Sequence, residues 1–170
     1  MAPEVLRDLV TLARYCPSGA NKQPLKFHLA CDPEANAEIF PCLGWAAYLA
    51  DWKGPAEGER PTAYITILGD TEISKNFDCD LGITAQTIML GARAIGLGGC
   101  MIATINRDRL ARYLRLPDHL KLLLVLALGT PKETIVVETV GADGNIRYWR
   151  DAQGVHHVPK RPLSELIYDA

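Results

Sequence analysis

Behind Pro3, a residue suited to the first turn of a helix, Val5, Leu6, Leu9, Val10, Leu12 and Ala13 recur at helical spacing. Pro17 disfavours a helical residue before it, so this helix is expected to stop at Cys16. Ser18-Gly19-Ala20-Asn21 reads as a turn and Leu25 to Ala30 as a short strand, and Asp32-Pro33 opens a short helix through Phe40. From Pro41 to Lys53, Trp45, Tyr48, Leu49 and Trp52 fall on one face of an expected helix, closed by Gly54-Pro55. Thr62 to Leu68 is rich in β-formers and predicts a strand.

Asp78 to Ile95 predicts a long helix whose apolar residues (among them Leu81, Ile88, Leu90 and Ile95) cover most of its circumference. Such a helix is central or lies in a subunit interface. Gly96 to Gly99 breaks it, and Cys100 to Ile105 continues as a strand. Asn106 caps a helix with Leu110, Tyr113 and Leu114 inward, and Leu116-Pro117-Asp118 stops it. The unbroken apolar run in Lys121 to Gly129 predicts a buried strand. Thr134 to Val140 and Ile146 to Arg150 flank Asp143-Gly144 and read as a β-hairpin. The chain closes on an extended arm and a short terminal helix. Helices and strands mix without regular β-α-β alternation, which favours an α+β fold, and residues 1–170 read as a single domain.

With Lys plus Arg at 18 and Asp plus Glu at 20, the net charge is -2. A surface so balanced carries no electrostatic footprint for nucleic acid or anionic lipid. No apolar run approaches a membrane span, and the N-terminus lacks the basic flank and apolar block of a secretory signal. Five cysteines without a C-x-x-C pair suggest neither a disulfide frame nor a zinc site, so a reducing cytoplasm is the expected compartment.

Three constellations carry candidate chemistry. Gly96-Leu97-Gly98-Gly99 follows a helix instead of preceding one, so it is no phosphate-binding dinucleotide loop. Gly96 reads either as a plain helix C-cap with spare turn glycines behind it, or Gly98 and Gly99 are bare so that a flat ligand can lie on the backbone. Between Pro17 and Pro24, Ser18, Asn21 and Gln23 make a stiff loop rich in donors and acceptors. It suits a polar heteroaromatic ligand, or it is a turn whose side chains bond their own backbone. Lys160 and Arg161 form a cation pair for a phosphate, or a solvated pair. His156 and His157 point to opposite faces of an extended chain and are expected to hydrogen-bond, not to share a metal. Cys16 and Cys100 lack an activating base and read as small buried hydrophobes. Asp80, inside the apolar helix, needs a partner if buried, as does Gln86.

The segments LARYCPSGANKQPLKF, DCDLGITAQTIMLGARAIGLGGCMIATINRDRL, LRLPDHLKLLLVLALGTPKE and IRYWRDAQGVHHVPKRPLSELI together resemble the nitroreductase family, FMN-dependent NAD(P)H oxidoreductases. The P-S-x-x-N-x-Q-P loop and the D-x-G-x-x-x-Q helix leading to G-L-G-x-C are specific as a set. The resemblance implies an α+β homodimer with a central, mostly antiparallel sheet flanked by helices and two flavin sites at the subunit interface. Pro17, Ser18, Asn21 and Gln23 match the family's flavin-contacting loop, Gly98 and Gly99 the turn beside the isoalloxazine ring, and Lys160 and Arg161 the phosphate-binding cations. The family's basic N-terminal stretch has no counterpart, because Met1 falls where the first-helix pattern is already under way. Either the protein is a short form or this sequence lacks its beginning, and the phosphate is then expected to rest on Lys160, Arg161 and Arg14.

The chain has no acid–base or covalent constellation of its own, which agrees with an enzyme whose cofactor does the chemistry. The resemblance implies hydride passing from NAD(P)H through FMN to a small-molecule acceptor such as a nitroaromatic or a quinone, in alternating steps at one site. The alternatives are a non-enzymatic flavin-binding or regulatory protein, and another flavin chemistry on the same scaffold.

Overall fold

The computed structural model describes residues 1–168. It divides into two compact units: Met1–Trp45 with Pro55–Pro131, and Ala46–Gly54 with the chain from Lys132 onward. The first unit is built on a four-stranded antiparallel sheet of β1 (Leu25–Ala30), β2 (Ala63–Asp70), β3 (Gly98–Ile102) and β4 (Leu120–Gly129), in the order β1-β2-β4-β3. β2 is buried along its whole length because both its faces are covered.

Its alternation sorts the core into two layers. Ala63, Ile65 and Ile67 pack with Leu6, Leu9 and Ala13 of α1 (Pro3–Ala13) and Ala85, Ile88 and Ala92 of α3 (Asp78–Ala94). Tyr64 and Leu68 point the other way, with Ile39 of α2 (Pro33–Ile39) and Leu110 of α4 (Arg107–Leu114). The sheet is thus α+β, antiparallel and flanked by helices, as the sequence led us to expect. Asp32 caps α2 through the Ala35 amide, and Asn106 caps α4 through the Arg109 amide. On α4, Leu110 and Leu114 pack inward but Tyr113 is exposed. Among the described residues, no helix is long and apolar enough to cross a membrane.

The second unit contains a three-stranded sheet in the order β5-β7-β6, formed by β5 (Ile135–Thr139), β6 (Trp149–Arg150) and β7 (His156–Lys160), followed by α5 (Leu163–Leu166). The expected hairpin is corrected here. The turn at Asp143-Gly144 exists, with Gly144 at φ 68° and its amide on Gly141 O. The flanking strands nevertheless do not pair, because β7 inserts between them, parallel to β5 and antiparallel to β6. Side-chain bonds fix that insertion. His157 Nδ1 meets Glu138 Oε1 at 2.6 Å and its Nε2 meets Asp151 Oδ2 at 3.3 Å. Glu133 Oε1 takes both Arg150 Nη2 and His156 Nδ1. The closing segment is therefore a central strand of this sheet and not a free arm, and its adjacent histidines hydrogen-bond separately.

The helix expected over Pro41 to Lys53 is also absent. A 3₁₀ turn at Phe40–Cys42 gives way to extended chain. Leu43 bridges to Ile105, Gly44 N donates to Thr104 O, and Asn106 N donates to Cys42 O. These bonds hold the chain from Leu43 out of helical geometry, and Ala46 at φ 32° breaks the run again. The aromatic residues then part company: Trp45 tilts against Phe40, Tyr48 against Tyr148, and Trp52 lies under Arg150.

Candidate functional site

α1 ends in consecutive turn bonds, Tyr15 N to Leu12 O and Cys16 N to Ala13 O, and Pro17 turns the chain out toward the start of β1. The loop so formed is held at three levels. Asn21 N and Lys22 N close tight turns on Ser18 O and Gly19 O. Ser18 Oγ donates to Asp80 Oδ2 at 2.5 Å and accepts the Gln23 amide at 2.9 Å, while Gly19 N donates to Asp80 Oδ1 at 3.0 Å. Gln23 Nε2 donates to Asn21 O at 3.0 Å and to Asn21 Oδ1 at 3.1 Å. These inward bonds leave Gln23 Oε1 and Asn21 Nδ2, one acceptor and one donor, for a partner outside the loop.

Beside the loop is a cavity of about 280 Å³, whose walls include Val10, Pro17, Pro24, Leu25 and Phe27. Its polar rim includes Arg14, Ser18, Gln23 and Asp80. An apolar body with a few placed polar groups is the ordinary form of a small-molecule site. Cys16 lines it too, but its thiol is tied to Thr87 Oγ1 at 3.2 Å. Cys16 is only half-buried and Cys100 is exposed, so neither is the buried hydrophobe expected. Asp80 has the partners its position demanded, and Gln86 is exposed and needs none.

The glycine cluster is placed differently from expectation. Gly96, at φ 80°, caps α3: its amide bonds Arg93 O, and Leu97 N bonds Ala92 O. Gly98 and Gly99 are not in that turn but open β3, which begins two residues before the expected Cys100. Close packing uses their bareness, since a Cβ on Gly99 would stand 2.1 Å from Ala127 O and one on Gly98 3.1 Å from Pro131 Cβ. β3 is an edge strand of its sheet, so outward backbone groups at Gly98 and Gly99 have no neighbouring strand there among the described residues.

Lys160 ends β7 and is exposed, and Arg161 pairs with Glu165 at 2.9 Å across one helical turn. Both belong to the second unit. Of the sequence-predicted residues, the structure thus gathers Pro17, Ser18, Asn21 and Gln23 into one loop and places the glycine pair and the cation pair on other elements.

Sequence reasoning missed the apolar wall. Leu25 and Phe27 sit on a strand and Val10 on a helix, and only the packing of α1 against β1 brings them together. It also missed Asp70, Glu72 and His119, whose ligand atoms lie within 4.8 Å of one another where β2 ends and β4 begins. There Lys26 Nζ already stands 4.0 Å from Asp70 Oδ2 and supplies a counter-charge.

Comparison with known proteins shows which proteins this chain is similar to. Residues 59–130 match the sequence model of the Nitroreductase family. A protein of Archaeoglobus fulgidus, provisionally named NADH dehydrogenase/NAD(P)H nitroreductase, is 23% identical over 78% of this chain and 76% of its own. Among solved structures, an FMN-dependent nitroreductase from Clostridium difficile R20291 superposes with a TM-score of 0.65 at 20% identity, covering 78% of each chain. A nitroreductase family protein from Clostridium novyi NT gives 0.63 at 25% identity, covering 78% of this chain and 75% of that one. The chain carries the nitroreductase family's sequence pattern over residues 59–130, and its architecture is the nitroreductase fold.

Proposed function

We propose that the chain is an FMN-dependent oxidoreductase that passes reducing equivalents from NAD(P)H to a small acceptor, such as a nitroaromatic or a quinone, and that it works as a homodimer in the cytoplasm. The observation that carries this reading is the Pro17–Pro24 loop, folded onto itself and onto Asp80 at the mouth of an apolar cavity.

The donor set fits a flavin. Gln23 Oε1 and Asn21 Nδ2 offer an acceptor beside a donor, the complement of a ring edge that presents N–H and C=O groups. The apolar wall suits the ring face, and Arg14 on the rim is a cation for the phosphate. Lys160 and Arg161 of the second unit are by themselves a cation pair able to meet a phosphate, with Arg161 sharing its guanidinium with Glu165. Gly98 and Gly99 would offer edge-strand backbone to the ring.

When bound, FMN supplies hydride transfer, so the protein's part is to bind, orient and exclude water. One site serving donor and acceptor in alternation needs no dinucleotide-binding motif, in agreement with the sequence. A cavity of 280 Å³ is small for a whole flavin nucleotide. A second subunit would complete it, and exposed apolar side chains at Leu90, Ile95 and Met101 are available to bury in such an interface.

Titration of the purified protein with FMN tests the reading directly. Tight uptake followed by bleaching with NADH or NADPH under anaerobic conditions is expected. A folded protein that holds no flavin contradicts it, and uptake without bleaching points to a flavin carrier.

A further inference from the structure

The Pro17–Pro24 loop holds a conformation that its sequence does not favour by itself. Ala20, Asn21 and Gln23 lie in the left-handed region at φ 50°, 54° and 51°, and none of them is glycine. A backbone so strained persists where its surroundings over-determine it. The hold reaches the loop from another element, because Asp80 stands in the first turn of α3 and takes both Ser18 Oγ–H and the Gly19 amide.

That carboxylate also decides the polarity of Ser18. A hydroxyl has one proton, and an ionised carboxylate can only accept. With its proton on Asp80, Ser18 Oγ acts as an acceptor toward everything else, and it takes the Gln23 amide in that role. Gln23 in turn fixes Asn21. The chain of bonds therefore runs from Asp80 through Ser18 to the two amide side chains that would meet a ligand.

We propose that Asp80 is the positioning residue of the cofactor loop: it fixes Ser18 as an acceptor and keeps the loop in its binding shape before any ligand arrives. The proposal rests on the flavin reading above. Preorganisation of this kind raises affinity by removing an ordering cost that the ligand would otherwise meet.

Asp80→Asn keeps the shape and changes the chemistry. The introduced amide can accept from Gly19 but must donate to Ser18, which turns the Ser18 proton toward the cavity. The test uses four proteins beside the wild type: D80N, S18A, the double variant, and D78N. The last removes an exposed charge from the same helix turn. Two readouts are taken, FMN affinity and amide hydrogen exchange at Gly19 and Gln23 in the flavin-free protein.

D80N is expected to weaken FMN about tenfold and to speed exchange at both amides by a similar factor, the size of one lost hydrogen bond to a charged group. S18A should weaken FMN comparably, the double variant no further than either single one, and D78N not at all. Non-additivity is the signature of action through Ser18, which a general loss of packing would not produce. The proposal is overturned if D80N leaves either readout at its wild-type value, or if the two substitutions add. A wild-type protein that takes up no FMN contradicts the flavin reading instead, and hydrogen exchange still decides whether Asp80 holds the loop.

Discussion

In the proposed flavin site Asn21 and Gln23 would bear the recognition chemistry, and their side chains already bond each other. Asn21→Ala and Gln23→Ala are each expected to weaken FMN binding about threefold to tenfold, the usual size of one hydrogen bond, as read by fluorescence titration. Unchanged affinity in both would remove the loop from the site. Gly99 has a different role. Gly99→Ala places a methyl group against Ala127 O, where the backbone cannot yield, and should destabilise the fold by about 1–3 kcal/mol in urea unfolding. A wild-type midpoint would show that β3 shifts freely. The difference between these positions explains what was legible. Two prolines and a run of small polar residues announce a rigid loop locally. The need for Gly99 to be bare is set by a strand that the sequence does not place beside it. Asp80 is intermediate: its charge in an apolar helix announced a missing partner but not which one.

At the scale of elements, local signals located α1, β1, α2, β2, α3, α4 and β4: helical spacing, capping residues and Pro33, β-formers, and unbroken apolar runs. They failed wherever distant chain decided. Residues 41–53 match a helical period, yet bonds to residues 104–106 hold the chain extended from Leu43. The hairpin around Gly144 has the right turn, yet β7 takes the place between its strands. That insertion leaves a titration signature. The Glu138 and Asp151 carboxylates raise the His157 imidazole above 6.5, whereas burial, partly offset by Asp32, lowers His28 on β1. His157 therefore stabilises its sheet fully below 6.5 and loses that contribution as pH rises through its raised value. The contribution linked to neutral His28 is full above 6.5 and is lost as pH falls through its lowered value. Acidification thus favours the β5-β7-β6 sheet and weakens β1. A histidine NMR titration should give His157 the higher midpoint and His28 the lower, and the reverse order would contradict these environments.

For the whole molecule, the proposal is that a homodimer enlarges the cavity beside the Pro17–Pro24 loop. Leu90 and Ile95 are 61% and 59% exposed, an arrangement that suits burial against a second copy. Charged substitutions at both should convert a dimer to a monomer in sedimentation velocity and lower FMN retention with it. A wild-type monomer that still binds FMN would show that one chain suffices. The central claim is that this fold holds a flavin and passes electrons through it. The measurement that reaches it most directly is the absorbance spectrum of purified protein, incubated with FMN, desalted, and then treated anaerobically with NADH or NADPH. A stoichiometric flavin band that survives desalting and bleaches on reduction is the predicted result. Folded protein that emerges colourless contradicts the account.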